Sequence, residues 1–258
     1  MQTMPTRVSE LLDLSDQAVL VTGASGNIGA GIARRLHEAG ASVALHCTSN
    51  RASVEQLSRT LGSRVAIVQG DVERDAERLC AEATSAFSRL TGLVNNAGIQ
   101  PVRALLEQTP ADRTEMLRVN TLGVMALTAA AAKTMIGSGQ FGAFVNIASI
   151  EGLQPAFGHS HYTTSKAAVL MHTRSSALEL GRYGIRVNAI APGLIDVEGL
   201  ETAWPEGVQR WQAACPLGRM GQADDVADAV LFLMSPAARW ITGATLTVDG
   251  GVLTNNVW

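Results

Sequence analysis

The sequence predicts an α/β fold: a doubly wound parallel sheet of seven strands with helices on both faces, built as a single domain over residues 1–258. Three observations predict it. Short apolar runs alternate with longer stretches at helical spacing, and strands that alternate with helices must cross over and lie parallel. A glycine-spaced turn, Gly23, Gly26 and Gly29, falls between the first apolar run and the first helical stretch. No Pro/Gly/Ser-rich linker, low-complexity tract or fixed-period repeat divides the chain.

Residues 1–13 read as an N-terminal extension. Ala18 to Val21 is the first strand, and Ile28 to Ala39 follows at helical spacing until Gly40, a natural helix stop. The alternation continues with strand Val43 to His46, helix Ala52 to Leu61, strand Arg64 to Val68, helix Asp75 to Leu90 and strand Leu93 to Asn95. A long helix spans Ala111 to Ile136, followed by strand Ala143 to Ile147, helix Tyr162 to Gly181, strand Arg186 to Ile190, helix Asp224 to Met234 and a last strand at Thr245 to Val248. Two stretches lack either rhythm: Ser149 to His161, and Pro192 to Gly221, which holds Trp204, Trp211, Pro205 and Pro216. Loops this long inside a compact domain are more often functional than idle, and residues 192–221 are read as a substrate lid. Both follow the carboxyl ends of strands, the edge where open α/β sheets bind ligands.

Composition narrows the partners. A net charge of -3 and a pI near 6.0, with scattered arginines, offer no basic field for nucleic acid. Cys47, Cys80 and Cys215 are odd in number and far apart, with no Cys-x-x-Cys or Cys/His cluster, so neither a disulfide framework nor a metal site is expected and a reducing cytoplasm fits. The first sixteen residues carry Pro5, Arg7, Glu10, Asp13 and Asp16 and lack a signal-peptide pattern. No run of eighteen uninterrupted apolar residues exists, so no membrane span is expected.

The turn Gly23-Ala24-Ser25-Gly26-Asn27-Ile28-Gly29 sits at the first strand-to-helix junction. Glycine there permits a tight turn and lets backbone N–H groups and a helix N-terminus approach a pyrophosphate. The acid that would hold the adenosine ribose of NAD at the end of the second strand is missing. His46, Thr48, Ser49 and Arg51 stand there instead, small donors and one guanidinium that would receive a 2′-phosphate better than repel it. NADP is therefore preferred, with NAD possible; Arg51 capping the next helix's solvent face is the alternative.

Tyr162 and Lys166 stand four residues apart, on one face of a helix, so an ammonium beside the phenol eases its ionisation. A phenol with its ordinary pKa near 10 cannot otherwise shuttle protons at neutral pH. Alone such a pair reads as a solvated surface contact. Its company changes that: Ser149 thirteen residues earlier, the glycine turn, Asn95-Asn96-Ala97-Gly98, Asn120 and Pro192-Gly193 occur in one order.

In these motifs the chain resembles the short-chain dehydrogenase/reductase family, in its short single-domain branch, from Leu14 to Val252. The resemblance implies a Rossmann-like fold and NAD(P)-dependent interconversion of a secondary alcohol and a ketone. It implies Tyr162 as general acid/base, Lys166 lowering the phenol's pKa and holding the nicotinamide ribose, Ser149 donating to the substrate oxygen, and Asn120 connecting to a water relay while satisfying local backbone. Asp71 and Val72 resemble the adenine-contacting pair, Asn95, Ala97 and Gly98 the cofactor-lining motif after the fourth strand, and Pro192, Gly193 and Ile195 the nicotinamide side. Asn27 departs from the branch's Thr-Gly-x-x-x-Gly-x-Gly by replacing its second glycine, and Val197 stands where a threonine is expected, leaving the carboxamide to backbone around Ile195. Glu151, His159, Trp204 and Trp211, with Ser149 and Tyr162, are the candidate substrate residues. Each of the first four also has a plainer reading as loop, core or interface. The helix from Tyr162 is apolar on several faces, and the resemblance supplies a partner for it, a homo-oligomer, dimer or tetramer. Two rival functions remain: an epimerase or dehydratase that retains its nicotinamide, and a non-catalytic cofactor sensor.

Overall fold

The computed structural model describes residues 7–255. Seven strands, β1 (Ala18–Val21), β2 (Ser42–Cys47), β3 (Val65–Gln69), β4 (Gly92–Asn95), β5 (Gly142–Ile147), β6 (Ile185–Pro192) and β7 (Thr245–Val248), form one all-parallel sheet in the order β3-β2-β1-β4-β5-β6-β7. The order reverses direction between β1 and β4, which places the crevice of a doubly wound sheet at the end of β1.

The strands read as continuous apolar runs because both faces are covered. In β1, Val19 and Val21 enter one core with Ile32, Leu36, Val226 and Val230, while Leu20 points the opposite way into a second core with Leu79, Leu127 and Phe144. Helices α1 (Asn27–Glu38) and α9 (Ala223–Met234) cover the first face; α3 (Ala76–Phe87), α5 (Gly123–Gly137) and α6 (Ser160–Leu180) cover the second, and α2 (Arg51–Leu61) packs on β2 and β3. Phe144 is fully buried. Side chains of this kind contribute about 1.5–3 kcal/mol each relative to exposure.

The expected strands and helices are present, with three differences. α3 stops at Phe87 rather than Leu90 because Ser88 turns left-handed, φ 60°, and ends the helical hydrogen bonding. The long helix is interrupted: α4 (Pro110–Leu117) opens on a capping box between Thr109 and Asp112, then a π turn, Arg118–Leu122, intervenes before α5. Pro110–Gly137 is long and apolar enough to cross a membrane by length and composition, but Leu127, Ala131 and Met135 are buried in the core. Third, residues 192–221 are not without helix: α7 (Leu200–Ala203) and α8 (Pro205–Ala214) lie within them. Pro205 begins α8, where its missing N–H costs nothing. The N-terminal segment docks by Leu11, whose carbonyl accepts from Ala237 N–H at 3.1 Å, and by buried Leu14.

Candidate active site

The turn after β1 is clamped from both neighbouring strands. Gly23 adopts φ +66°, and a methyl group there would lie 3.0 Å from Ala97 Cα. On the β4 side, Thr22 Oγ1 accepts from the amides of Asn96 and Ala97 at 2.9 and 3.0 Å, and Asn96 Nδ2 donates to Thr22 O at 2.8 Å. On the β2 side, His46 Nδ1 accepts from Gly23 N–H at 3.2 Å while its Nε2 donates to Gly70 O at 3.0 Å. His46 is therefore a buried strut beneath the turn, with both ring nitrogens engaged, and does not line the cleft above it. Burial holds its pKa below the usual value, consistent with this neutral tautomer.

Above the turn lies a cleft of about 530 Å³, lined by Gly23, Ser25 to Gly29, Thr48, Ser49, Asp71, Val72 and Asn96 to Ile99, among others. α1 begins at Asn27 with Gly26 as its N-cap and no side-chain cap, so its first-turn amides are open toward the cleft. Open amides at the positive end of a 12-residue helix suit a pyrophosphate. A methyl at Gly29 would collide with Gly23 O and lie 2.6 Å from Asn96 Nδ2, so the cradle is filled to contact beneath its floor. These features fit a dinucleotide.

At the end of the cleft beyond β2, Thr48, Ser49 and Asn50 face it without a carboxylate among them. Arg51 does not line it: the guanidinium Nε donates to Glu55 Oε1 at 2.8 Å and NH1 to Gln69 Oε1 at 3.4 Å. Asp71 lines the cleft with Val72. Burial opposes ionisation of Asp71, but the amides of Arg74 and Glu73 and the Arg118 guanidinium, 2.7 Å from Oδ2, together hold its carboxyl below the usual range. Asn95, like His46 and Arg51, does not line the cleft: its side chain is buried between strands, donating to Asn146 Oδ1 at 2.8 Å, and the neighbour Asn96 lines the cleft instead.

Gly98 joins the cleft to the Tyr162 end of the site, since a methyl there would stand 3.2 Å from Asn120 Oδ1 and 3.6 Å from Lys166 Nζ. The π turn carries Asn120, whose amide is consumed locally: Oδ1 accepts from Ile99 N–H at 2.8 Å, and Nδ2 donates to Ile99 O at 2.9 Å and Ser165 Oγ at 3.2 Å. Asn120 thus ties the loop after β4 to α6.

Ser149 lies just beyond the end of β5 and Tyr162 in the first turn of α6, and the Ser149 hydroxyl favours ionisation of the phenol. Lys166 lies one turn on, its Nζ 5.6 Å from the Tyr162 ring centre and donating to Ile147 O at 2.9 Å. The protein's own groups reverse the expected direction of the phenol's shift. Burial pushes the Tyr162 hydroxyl up to about 12, with the Ser149 hydrogen bond opposing and the Glu151 carboxylate adding. Burial likewise depresses Lys166 to about 8, so its charge is weakly held.

Lys166 makes stability pH-dependent. Between pH 8 and 10.5 the unfolded chain binds a proton that the folded chain does not, so stability rises with pH across that window; below pH 8 both states are protonated and the burial penalty is present in full. Relative to Lys166→Met, the wild type should gain roughly 2 kcal/mol between about pH 7.5 and 9.5 in urea denaturation. A flat difference would mean that the ammonium is solvated. Above about pH 10 Tyr162 acts oppositely, because the folded state retains a proton that the unfolded chain loses, up to about 12.

The 192–221 segment leaves the sheet at Pro192. Gly193 N–H donates to Val248 O at 3.0 Å, and its open face receives the Trp211 ring, 2.8 Å from where a methyl group on that glycine would stand. Trp211 Nε1 is buried without a hydrogen-bond partner among the described residues, whereas Trp204 covers Gly207 and is half exposed. Ile195 is buried and pairs in a parallel bridge with Gly221. Next to it Asp196 O accepts from Asn27 Nδ2 at 2.7 Å, joining the root of the 192–221 segment to the turn after β1, and Val197 lines the cleft. The sequence places Asn27 in the turn alone; its tie to Asp196, so distant along the chain, carries no local signal. Glu151 and His159 pair at 2.8 Å beside Tyr162, the ring of His159 edge-on to it at 5.9 Å.

A family model described as enoyl-(acyl carrier protein) reductase matches residues 23–253. The L-rhamnose 1-dehydrogenase (NAD(P)(+)) of Azotobacter vinelandii is 36% identical, the match covering 94% of this chain and 98% of that one. The (3R)-3-hydroxyacyl-CoA dehydrogenase of Mus musculus is 38% identical over 93% and 98%. The chain belongs to the short-chain dehydrogenase/reductase family. The solved structure of a short-chain type dehydrogenase/reductase from Mycobacterium marinum superposes with a TM-score of 0.88 at 31% identity, covering 97% of this chain and 100% of that one. As a member of the family, the chain is an NAD(P)-dependent oxidoreductase acting on CH–OH and C=O groups.

Proposed function

We propose that this short-chain dehydrogenase/reductase interconverts a secondary alcohol and its ketone with Tyr162 as general acid/base. The observation that carries the reading is the meeting of Ser149, Tyr162 and Lys166 beyond Gly98, at the end of a cleft whose other wall is the uncapped start of α1. Gly23 to Gly29, Ala97 and Gly98 would hold the dinucleotide, with Asp71 and Val72 at its adenine and Gly193 and Ile195 at its nicotinamide. When bound, the nicotinamide supplies the hydride in reduction and accepts it in oxidation. Tyr162 donates its hydroxyl proton to the nascent alkoxide oxygen in reduction and takes it back in oxidation, while Ser149 donates a hydrogen bond to the same oxygen. Lys166, with two N–H groups beyond the one given to Ile147 O, is available to ribose hydroxyls and biases Tyr162 toward ionisation when charged. Asn120 holds the Ile99 backbone and α6 in register rather than touching substrate.

NADP is the preferred cofactor because neutral Thr48, Ser49 and Asn50 face the adenosine end. Arg51 would exchange Glu55 for a 2′-phosphate, and an exposed i,i+4 pair of this kind is worth only about 0.3–0.5 kcal/mol. Fluorescence titration should show NADPH binding about 10-fold more tightly than NADH, and Arg51→Ala should narrow that gap to about 3-fold or less. Equal affinities in the wild type would remove the preference. Ketone-dependent oxidation of the bound reduced cofactor tests the reaction itself, and binding without turnover of any ketone or alcohol would oppose it. The assembly proposed is a homotetramer in the cytoplasm, and contact between copies would cover the exposed Met171 and Leu178 on α6 and Met125 on α5.

A further inference from the structure

Beside Tyr162 stands a polar pair that proton transfer through Tyr162 does not use. Glu151, two residues after Ser149, has both carboxylate oxygens engaged by side chains: Oε2 by His159 Nδ1 at 2.8 Å and Oε1 by Gln100 Nε2 at 3.2 Å. Its own amide donates to Ser149 Oγ at 3.1 Å, which fixes the pair to the residue nearest the reacting oxygen. The His159 and Glu151 side chains are only 14% and 16% exposed, so this is a built contact rather than a solvated one.

Chemistry sets the orientation. An ionised carboxylate only accepts, so the proton of His159 stands on Nδ1, and the second ring nitrogen is left to point elsewhere. Among the described residues Nε2 makes no hydrogen bond, and the ring lies edge-on to Tyr162 at 5.9 Å. The site thus offers one oriented imidazole nitrogen and a little-exposed carboxylate beside the Tyr162 ring.

Three kinds of substrate group meet this pair differently. An anionic group would face the Glu151 carboxylate, whose field already opposes ionisation of Tyr162. A hydrocarbon chain would strip the remaining water from the pair and replace none of its hydrogen bonds. A hydroxyl carries one donor and two acceptor sites, and so satisfies Nε2 whether that nitrogen is protonated or not.

We propose that the Glu151–His159 pair reads a second hydroxyl on the substrate, on the carbon next to the reacting one, so that the substrate class is a neutral polyhydroxylated compound such as a sugar or polyol. This rests on the hydride-transfer reading of the same site. Glu151 is the positioning residue and His159 the residue that touches substrate.

The test compares matched alcohols on the cofactor-loaded enzyme: cyclohexanol with trans-1,2-cyclohexanediol, 2-butanol with 2,3-butanediol, and tetrahydropyran-2-ol with an aldopentose. The expected result is a kcat/KM at least ~10-fold higher for the hydroxylated member of each pair that turns over, expressed mainly in KM, as for sites built to bond a substrate hydroxyl. His159→Phe, which keeps a ring edge against Tyr162 but removes Nε2, should cut that ratio to ~3-fold or less, and Glu151→Gln should lower it to an intermediate value because an amide orients the imidazole less firmly. Turnover of the mono-alcohols with no preference for the diols, or a preference that survives His159→Phe, overturns the assignment and leaves hydride transfer standing. Turnover of neither member of any pair, with cofactor bound, overturns both.

Discussion

Tyr162→Phe is expected to lower turnover at least ~100-fold while changing the affinity for NADPH or NADH by less than ~3-fold. The substitution removes one oxygen and leaves the ring. That ring is packed at 8% exposure beside Lys166 and His159, so its loss of a hydroxyl opens little space. What disappears is the phenolic oxygen, whose ionisation the Ser149 hydroxyl favours. Single-turnover absorbance of the reduced nicotinamide with saturating substrate separates the step from binding. Equal losses in cofactor affinity and rate would mean that the hydroxyl supports the cleft rather than the proton transfer, and a rate within a few-fold of wild type would transfer the proton role to another group.

Gly29→Ala should weaken cofactor binding by more than ~30-fold and lower thermal stability, whereas Gly26→Ala should leave the melting temperature within about 2 °C of wild type. A methyl at Gly29 meets Gly23 O and Asn96 Nδ2 beneath the turn, so either the first turn of α1 lifts or the clamp from β4 opens. At Gly26 the nearest atom to the added methyl, Gly23 O, is at 3.5 Å, an ordinary contact. The two glycines therefore have different physical reasons for their place: one is pressed against protein, the other faces the cleft. Titration of each variant with NADPH alongside thermal unfolding distinguishes them. A Gly29→Ala protein that melts and binds like wild type would show that the turn has slack which the packing does not reveal.

Much of this architecture is legible in the chain, and the exceptions have identifiable causes. The strands stand out because a sheet covered on both faces is built from unbroken apolar runs such as Ala18 to Val21. Tyr162 and Lys166 are legible because four residues make about one helical turn, and the helix between them is regular. The π turn at Arg118–Leu122 leaves no comparable trace, since the residues on either side keep helical spacing while the turn between them widens by one residue. Its effect, the delivery of Asn120 to the Ile99 backbone, is visible only in three dimensions. Asn95 and Asn96 follow the parity of a strand: Asn95 ends β4 among buried strand residues, and the next position leaves the sheet on the other side. His46 and Arg51 leave the cleft for opposite reasons. His46 is withdrawn by tertiary hydrogen bonds to Gly23 and Gly70, which no local pattern announces, and Arg51 by a helical pair with Glu55 that the spacing allows. The helices α7 and α8 are hard to read because α7 is a single turn of four residues and Pro205 at the start of α8 reads equally as a breaker.

Asn27 Nδ2 and Asp196 O lie 2.7 Å apart though 169 residues separate them, and immediately beyond, Ile195 pairs with Gly221 and Asp196 N–H donates to Gly221 O at 2.8 Å. Chain leaving and chain returning are pinched together at this point, so residues 197–220 form an excursion on a stem. Because closing a loop costs free energy only as the logarithm of its length, such an excursion can lengthen, shorten or change composition while its stem keeps the same ends. The phosphate turn is fastened to the stem and not to the excursion. If the excursion reads substrate, a transplanted 198–210 segment from another member of the family, which leaves Val197 in the cleft and Trp211 on Gly193, should alter the substrate while changing dinucleotide affinity little.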